Sequence, residues 1–345
     1  MDLKYKKLIV ITSIILVVIG IFLGLLVFVF RVDTPAINYL RRMVHAPALV
    51  IGNTWISIAE VEDNTVSIKR FYENQDFSSY GIRMDFSTDD GKKRLKVKEK
   101  QMLNKIIEDV AIEQMAQDWN IALSEEAVQS AIDRPMAEMG TRENVESNLK
   151  NLYDWTLDDF SEKVVRGQLL KEKVATKYDQ ENKISESMQE KIAQAKKELD
   201  NGRDFADIAI QYSEGSTAKD GGVMGWFAYN QLQDEIGKQI FTMEKGTHSE
   251  IIETPIGLHI VRVNDVAEEN NVKMVHISQI IVKKMSFSDF LTQYLQKMDV
   301  KVFLSQYQWD QESALIVFKD QELIDFEKRV DEEMKTSIQK SVELK

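Results

Sequence analysis

Residues 204–227 read DFADIAIQYSEGSTAKDGGVMGWF, and residues 245–263 read KGTHSEIIETPIGLHIVRV. Asp204 opens a short amphipathic helix that runs to Tyr212, and the Ser/Gly-rich segment after it reads as a loop. Gln231–Met243 has helical spacing, and Gly246 begins a return into strands. Upstream, Ser187–Asp200 reads as a helix that ends near Gly202, where glycine suits a left-handed cap. Downstream, Met274–Lys283 (MVHISQIIVK) has the composition of a strand.

This segment resembles the core of the parvulin-type (PpiC) peptidyl-prolyl isomerases. The resemblance implies a four-stranded antiparallel sheet with surrounding helices, an α+β fold. It also implies a reaction that breaks no covalent bond. Prolyl isomerisation lowers a rotational barrier of about 18–20 kcal/mol between forms that lie close in energy. The site holds the proline ring in an apolar pocket and surrounds the twisting amide with fixed dipoles. Matched position by position, the pocket falls on Met224, Phe227, Leu232 and Ile236, all of which would serve equally as ordinary core.

Parvulin sites also hold two facing histidines and a Cys or Asp. Ile256-Gly257-Leu258-His259-Ile260 resembles the signature of the C-terminal histidine, so His259 is the first candidate catalytic residue. The Cys/Asp position falls on Gly215, which has no side chain to offer, and Glu214 and Asp220 are its nearest substitutes. No strand precedes Ser187 where the family places its first histidine. Met274–Lys283 supplies a strand after the usual end of the domain, which implies a circularly permuted parvulin, joined through Asn264–Asn271 as a hairpin.

Two registers compete for that hairpin. One centres on Asn264–Asn271 and sets His276 opposite His259. The other aligns Ile277–Lys283 with the family motif and puts Gln279 in the histidine position. Residues 276 and 279 point to opposite faces of an undistorted strand, so only one can join His259. The longer motif match favours Gln279. For His248 and His45 an exposed structural role is expected.

Leu8–Phe30 carries no charged residue. At about 1.5 Å per residue it is long enough to cross a hydrocarbon core about 30 Å thick, and it lacks the small-x-small site of a cleaved signal peptide. It reads as an uncleaved transmembrane anchor after a cytoplasmic flank, residues 1–7, with Lys4, Lys6 and Lys7. The expected location is the cell membrane, single-pass, with the later domains outside the cytoplasm.

Between anchor and parvulin segment lies a helical region. Gly52-Asn53 punctuates a hairpin within Pro47–Val61, and Ile58–Glu73 is helical. Lys93–Trp119 is the strongest helix, Ser124 caps the next, and others start near Thr141 and Thr156. The series resembles the N-terminal chaperone domain of SurA-like and PpiD-like folding factors. The expected domains are therefore 31–178 (SurA-like), 186–304 (parvulin) and 305–345, a connection with a charged C-terminal helix expected to pack on the N-terminal domain or stay solvated.

Composition bounds the partners. The 345 residues carry a net charge of -12, which argues against nucleic acid, whose phosphates need a basic face. With no cysteine and four histidines there is no thiol nucleophile, and neither metal nor cofactor is expected. The partners implied are unfolded or newly translocated polypeptides, X-Pro segments and the membrane. Two functions compete: a membrane-anchored, PrsA-like prolyl isomerase, and a holdase chaperone whose parvulin domain has lost catalysis.

Overall fold

The structure, a computed structural model, describes residues 45–75, 85–139, 141–269 and 272–343. The anchor expected at Leu8–Phe30 lies outside them. Among the described residues no helix is long and apolar enough to cross a membrane. They divide into two compact units: the residues up to Val174 together with Leu291 onward, and Ala175–Phe290.

The first unit starts with a hairpin, β1 (Pro47–Ile51) and β2 (Thr54–Ser57), closed at the two-residue turn Gly52-Asn53. Gly52 sits at φ +56°, the left-handed region that a tight turn requires. Helix α1 (Ile58–Asn74) is capped by Ser57, whose hydroxyl accepts the Glu60 N–H. Helix α2 (Asp89–Asp118) buries Leu103, Ile107, Val110, Ala111 and Met115 along one stripe.

Then follow α3 (Glu125–Met139), α4 (Arg142–Tyr153), α5 (Leu157–Phe160), a π-helical turn at Ser161–Val165, and α6 (Arg166–Glu181). Thr156 and Asp159 form a reciprocal capping box at the start of α5.

In the second unit α7 (Glu186–Asp200) and α8 (Phe205–Tyr212) lead into β3 (Val223–Ala228), α9 (Asp234–Ile240), β4 (Ile252–Thr254), β5 (Gly257–Glu269) and β6 (Val272–Lys283). The sheet order is β3-β6-β5-β4 and every pairing is antiparallel. Alternation sorts the strand residues between two layers. Leu258, Ile260, Ile280 and Val282 pack on Ile192 and Ala195 of α7 and Ile208 of α8. Val261, Val263, Val275 and Ile277 pack on Ile236 and Ile240 of α9.

The hairpin register centred on Asn264–Asn271 is not the one formed. Strands β5 and β6 pair out to Glu269↔Val272, with a bulge between Val263 and Asp265, so His259 faces Ile281 rather than His276. The expected loop would have left 265–269 without ladder partners, and the longer hairpin satisfies those backbone groups.

After β6 come α10 (Phe287–Leu295), β7 (Val300–Val302), the hairpin β8 (Tyr307–Asp310) with β9 (Leu315–Phe318), and α11 (Gln321–Glu343). The polypeptide here re-enters the first unit. Strand β7 pairs with β1, giving the order β2-β1-β7. Asn104 of α2 accepts the Ile316 N–H at 2.6 Å, which ties down β9. Helix α11 lies along α2, paired through Arg94–Glu333 (3.1 Å), Arg329–Asp90 (3.4 Å) and Lys100–Glu327. The units therefore divide at 174/175 and 290/291, where the expected domain limits were 178, 186 and 304.

Candidate active site

The site grows from the turn between β4 and β5. Thr254 pairs with Gly257 across Pro255-Ile256, and Ile252 with His259. Gly257 has φ +148°, and a Cβ there would stand 2.2 Å from the Val282 carbonyl oxygen, so only glycine lets the turn lie flat on β6. By alternation Thr254, His259 and Gln279 share the face that packs against α9.

Their side chains form one continuous run. The Gln279 Nε2 donates to His259 Nδ1 at 3.0 Å, which leaves the imidazole proton on Nε2. That nitrogen donates to Thr254 Oγ1 at 2.7 Å, and the threonine hydroxyl donates on to the Gly257 carbonyl at 3.4 Å. His259 is 1% exposed. Burial pulls its pKa down to about 4, so the ring is neutral at physiological pH. Gln279 is half-buried, and the described residues leave its second N–H and its carbonyl oxygen without a partner.

Of the four expected pocket residues, Ile236 is buried in the core beneath α9, with Phe227 and Leu232 half-buried against the same cluster. Met224 stands apart. It is the extra residue of a bulge between Val223 and Gly225, 41% exposed, and its sulfur accepts the Thr217 hydroxyl at 3.6 Å. A bulge re-aims a side chain, and this one leaves the methionine on the rim rather than in the floor.

The loop 213–222 continues the sheet edge where β3 stops. The Gln279 N–H donates to the Gly222 carbonyl at 2.8 Å, Ile281 N–H to Ser213 Oγ at 3.2 Å, and Lys283 N–H to the Glu214 carboxylate at 2.7 Å. Burial pushes the Glu214 carboxyl up, but Lys191 and that backbone N–H outweigh it and hold the pKa below the usual value. Glu214 is thus committed to the strand edge, and Asp220 is exposed. Gly215 faces Ile281, and a Cβ there would meet the Ile281 Cγ2 at 3.1 Å.

His276 is not brought to His259. It pairs with Asp265 and Trp226 on the opposite face of the sheet, where its Nδ1 accepts from Asn264 Nδ2 at 3.1 Å. His248 is half-buried near Asp200, 3.7 Å away, and the His45 carbonyl accepts the Trp55 indole N–H. Thr254 is the residue that sequence reasoning missed. Its signal was the two-residue turn in Thr254-Pro255-Ile256-Gly257, which makes Thr254 and His259 diagonal neighbours on one face. Among the described residues no three His, Asp or Glu side chains gather as metal ligands would.

Residues 170–265 match the PPIC-type PPIASE domain, Rotamase. The match stops short of β6. Foldase protein PrsA 1 from Bacillus cereus is 31% identical over 159 residues, 40% of this chain and 56% of that protein. Chaperone SurA from Hydrogenovibrio crunogenus is 29% identical over 99 residues, 28% of this chain and 22% of that protein. Chaperone SurA from Escherichia coli O157:H7 is 34% identical over 109 residues, 30% and 26%. The chain thus spans between 22% and 56% of the length of these curated relatives. The crystal structure of PrsA from Bacillus subtilis aligns with 58% of this chain and 74% of that one, at 18% identity and a TM-score of 0.20, too low for the superposition to bear on the fold. The protein therefore contains a PPIC-type domain and is similar to the foldase PrsA and the chaperone SurA.

Proposed function

We propose that this protein is a folding factor whose second unit is a parvulin-type peptidyl-prolyl isomerase, permuted so that its first strand is β6. The reading places it at the membrane through Leu8–Phe30, with both units outside the cytoplasm, acting on unfolded or newly translocated polypeptides. The observation that carries it is the run Gln279–His259–Thr254 on the same face of the sheet as Phe227, Leu232 and Ile236.

An X-Pro ring seated on Phe227 and Leu232 has its amide desolvated, which disfavours the charge-separated planar form that resists rotation. Gln279 supplies the nearest free amide N–H and carbonyl, held by its bond to His259. The neutral His259, fixed through Thr254, acts as a positioning residue, and no proton transfer is needed because no bond to hydrogen changes. The test is refolding of a client limited by X-Pro isomerisation, tens to hundreds of seconds uncatalysed. Sub-stoichiometric protein accelerates it on this reading, and His259→Ala abolishes the acceleration.

A second reading, a holdase, is favoured by Gly215 and by a hollow in the first unit. That hollow, about 760 Å³, lies between α3, α4 and α6 and is walled by Ala131, Ile132, Leu149, Phe160, Val165 and Leu169. An apolar hollow of this kind suits side chains of an unfolded segment. Suppressed client aggregation with no acceleration of refolding would select this second reading.

A further inference from the structure

On the sheet face turned away from α9, the strand residues beyond the α7–α8 core change character. Arg262 of β5 lies directly opposite Ser278 of β6, which in turn faces Val223 of β3. One step along, His276 faces Trp226 and meets its ring edge-on at 5.3 Å. Asn264, in the β5 bulge, ties the row together: its Nδ2 donates to His276 Nδ1 at 3.1 Å and to Ser278 Oγ at 2.8 Å.

That bonding leaves a surplus of donors. With Nδ1 of His276 accepting, its Nε2 carries the proton and has no acceptor among the described residues. Ser278 accepts from Asn264, so its hydroxyl hydrogen is unspent in the same sense. The Nε of Arg262 is buried and finds no acceptor. A buried guanidinium N–H without a partner is a cost the fold does not recover from within. Of the carboxylates on neighbouring elements, Asp200 and Glu250 are engaged by Lys196, and Asp265, which lies opposite His276 and interacts with it, is paired with Lys245. Beside the donors, Trp226 and Val223 are 45% and 46% exposed.

We infer that Arg262, Ser278 and His276 form a binding site for a carboxylate group of a polypeptide, with Trp226 and Val223 receiving the apolar residue that carries it. One permanent cation, two further donors and an apolar wall match a singly charged carboxylate better than a phosphate dianion, which draws several cations. The carboxylate comes from the C-terminus of a polypeptide or from an acidic side group. The site shares no residue with the His259 network, so its failure and the failure of the isomerase reading are separate results.

The experiment is calorimetric titration of the full-length protein with three probes: acetyl-Gly-Leu-Phe as the free acid, the same peptide as its amide, and acetyl-Gly-Asp-Phe amide. The Arg262 Nε–H resonance is followed in parallel. The free acid binds, shifts that resonance, and loses about ten-fold in affinity in Arg262→Gln. The plain amide does not bind. Binding of the Asp-containing amide assigns the carboxylate to side groups as well as termini, and its silence assigns it to termini alone. Should Arg262→Gln fail to fold, Ser278→Ala carries the same test with a smaller loss. Equal binding of acid and amide overturns the inference. So does an unchanged affinity in both variants, or inorganic phosphate binding more tightly than the free acid.

Discussion

The two units line their candidate sites in opposite ways. In the second, Thr254, His259 and Ser278 are buried within the sheet and hydrogen-bonded there. In the first, the hollow between α3, α4 and α6 is walled by aliphatic and aromatic side chains, and its polar lining residues Ser130, Arg134, Asn148, Gln168 and Glu172 sit among them. A buried polar run has one geometry, because breaking any bond in it leaves an unpaired group in low dielectric. An apolar wall has no such requirement and accepts side chains of many shapes. The difference assigns fixed-geometry chemistry to the second unit and tolerant binding to the first.

The largest effect that separates the units is expected at Gly257. Gly257→Ala drives a Cβ into the Val282 carbonyl at 2.2 Å from a backbone at φ +148°. The second unit should lose about 3 kcal/mol or more while the first keeps its melting transition, a split that calorimetry or hydrogen exchange would resolve.

Next in size is a pH effect confined to the second unit. His259 has a pKa of about 4 when folded against 6.5 for the free ring. The folded state therefore favours the neutral ring. The contribution is complete above about pH 6.5, fades as pH falls through the window, and is gone below about pH 4, amounting to about 3 kcal/mol. Denaturant unfolding from pH 7 to pH 4 should show that loss, and His259→Gln should flatten it.

Smaller again is the effect of charging the hollow. Val164 lines it and is 37% exposed, so Val164→Asp leaves stability within about 0.5 kcal/mol. It should weaken suppression of client aggregation by about five-fold and leave isomerisation of a short X-Pro peptide unchanged. Loss of both activities together would dissolve the contrast between the units. The smallest effect is at the exposed pair Lys93–Glu322: Glu322→Gln should move the melting of the first unit by less than about 0.5 kcal/mol.

Where local chemistry alone decided the structure, the sequence was readable. Ser124, Thr141 and Thr156 spelled their helix starts, and Gly52-Asn53 its hairpin turn. The short strands β7, β8 and β9 were not legible. Three or four residues show too little alternation to tell a strand from a connection, and Ser305–Leu315 read as the latter. The pairing of β7 with β1 went unseen with them, since β7 is defined by its partner and not by its own residues, whereas packing of the C-terminal helix on the N-terminal region was one of the two expected outcomes.

The site divides along the same line. His259 and Gln279 were visible through motif and strand parity, and parity is also what separates His276 from them. Thr254 emerged only with the register, because its role depends on what lies diagonally across a turn. Met224 matched the motif by position, but the bulge that re-aims it is set by pairing with β6, a strand distant in sequence.

The most direct measurement is the cis–trans exchange rate of an X-Pro peptide, observed by NMR exchange spectroscopy with the full-length protein at catalytic concentration. The account predicts exchange faster than the uncatalysed rate, independent of pH between about pH 6 and pH 8 because the only ring in the run is already neutral there, and slowed by at least about ten-fold in Gln279→Ala. An exchange rate identical with and without the protein, or one that Gln279→Ala and His259→Ala leave untouched, would contradict it.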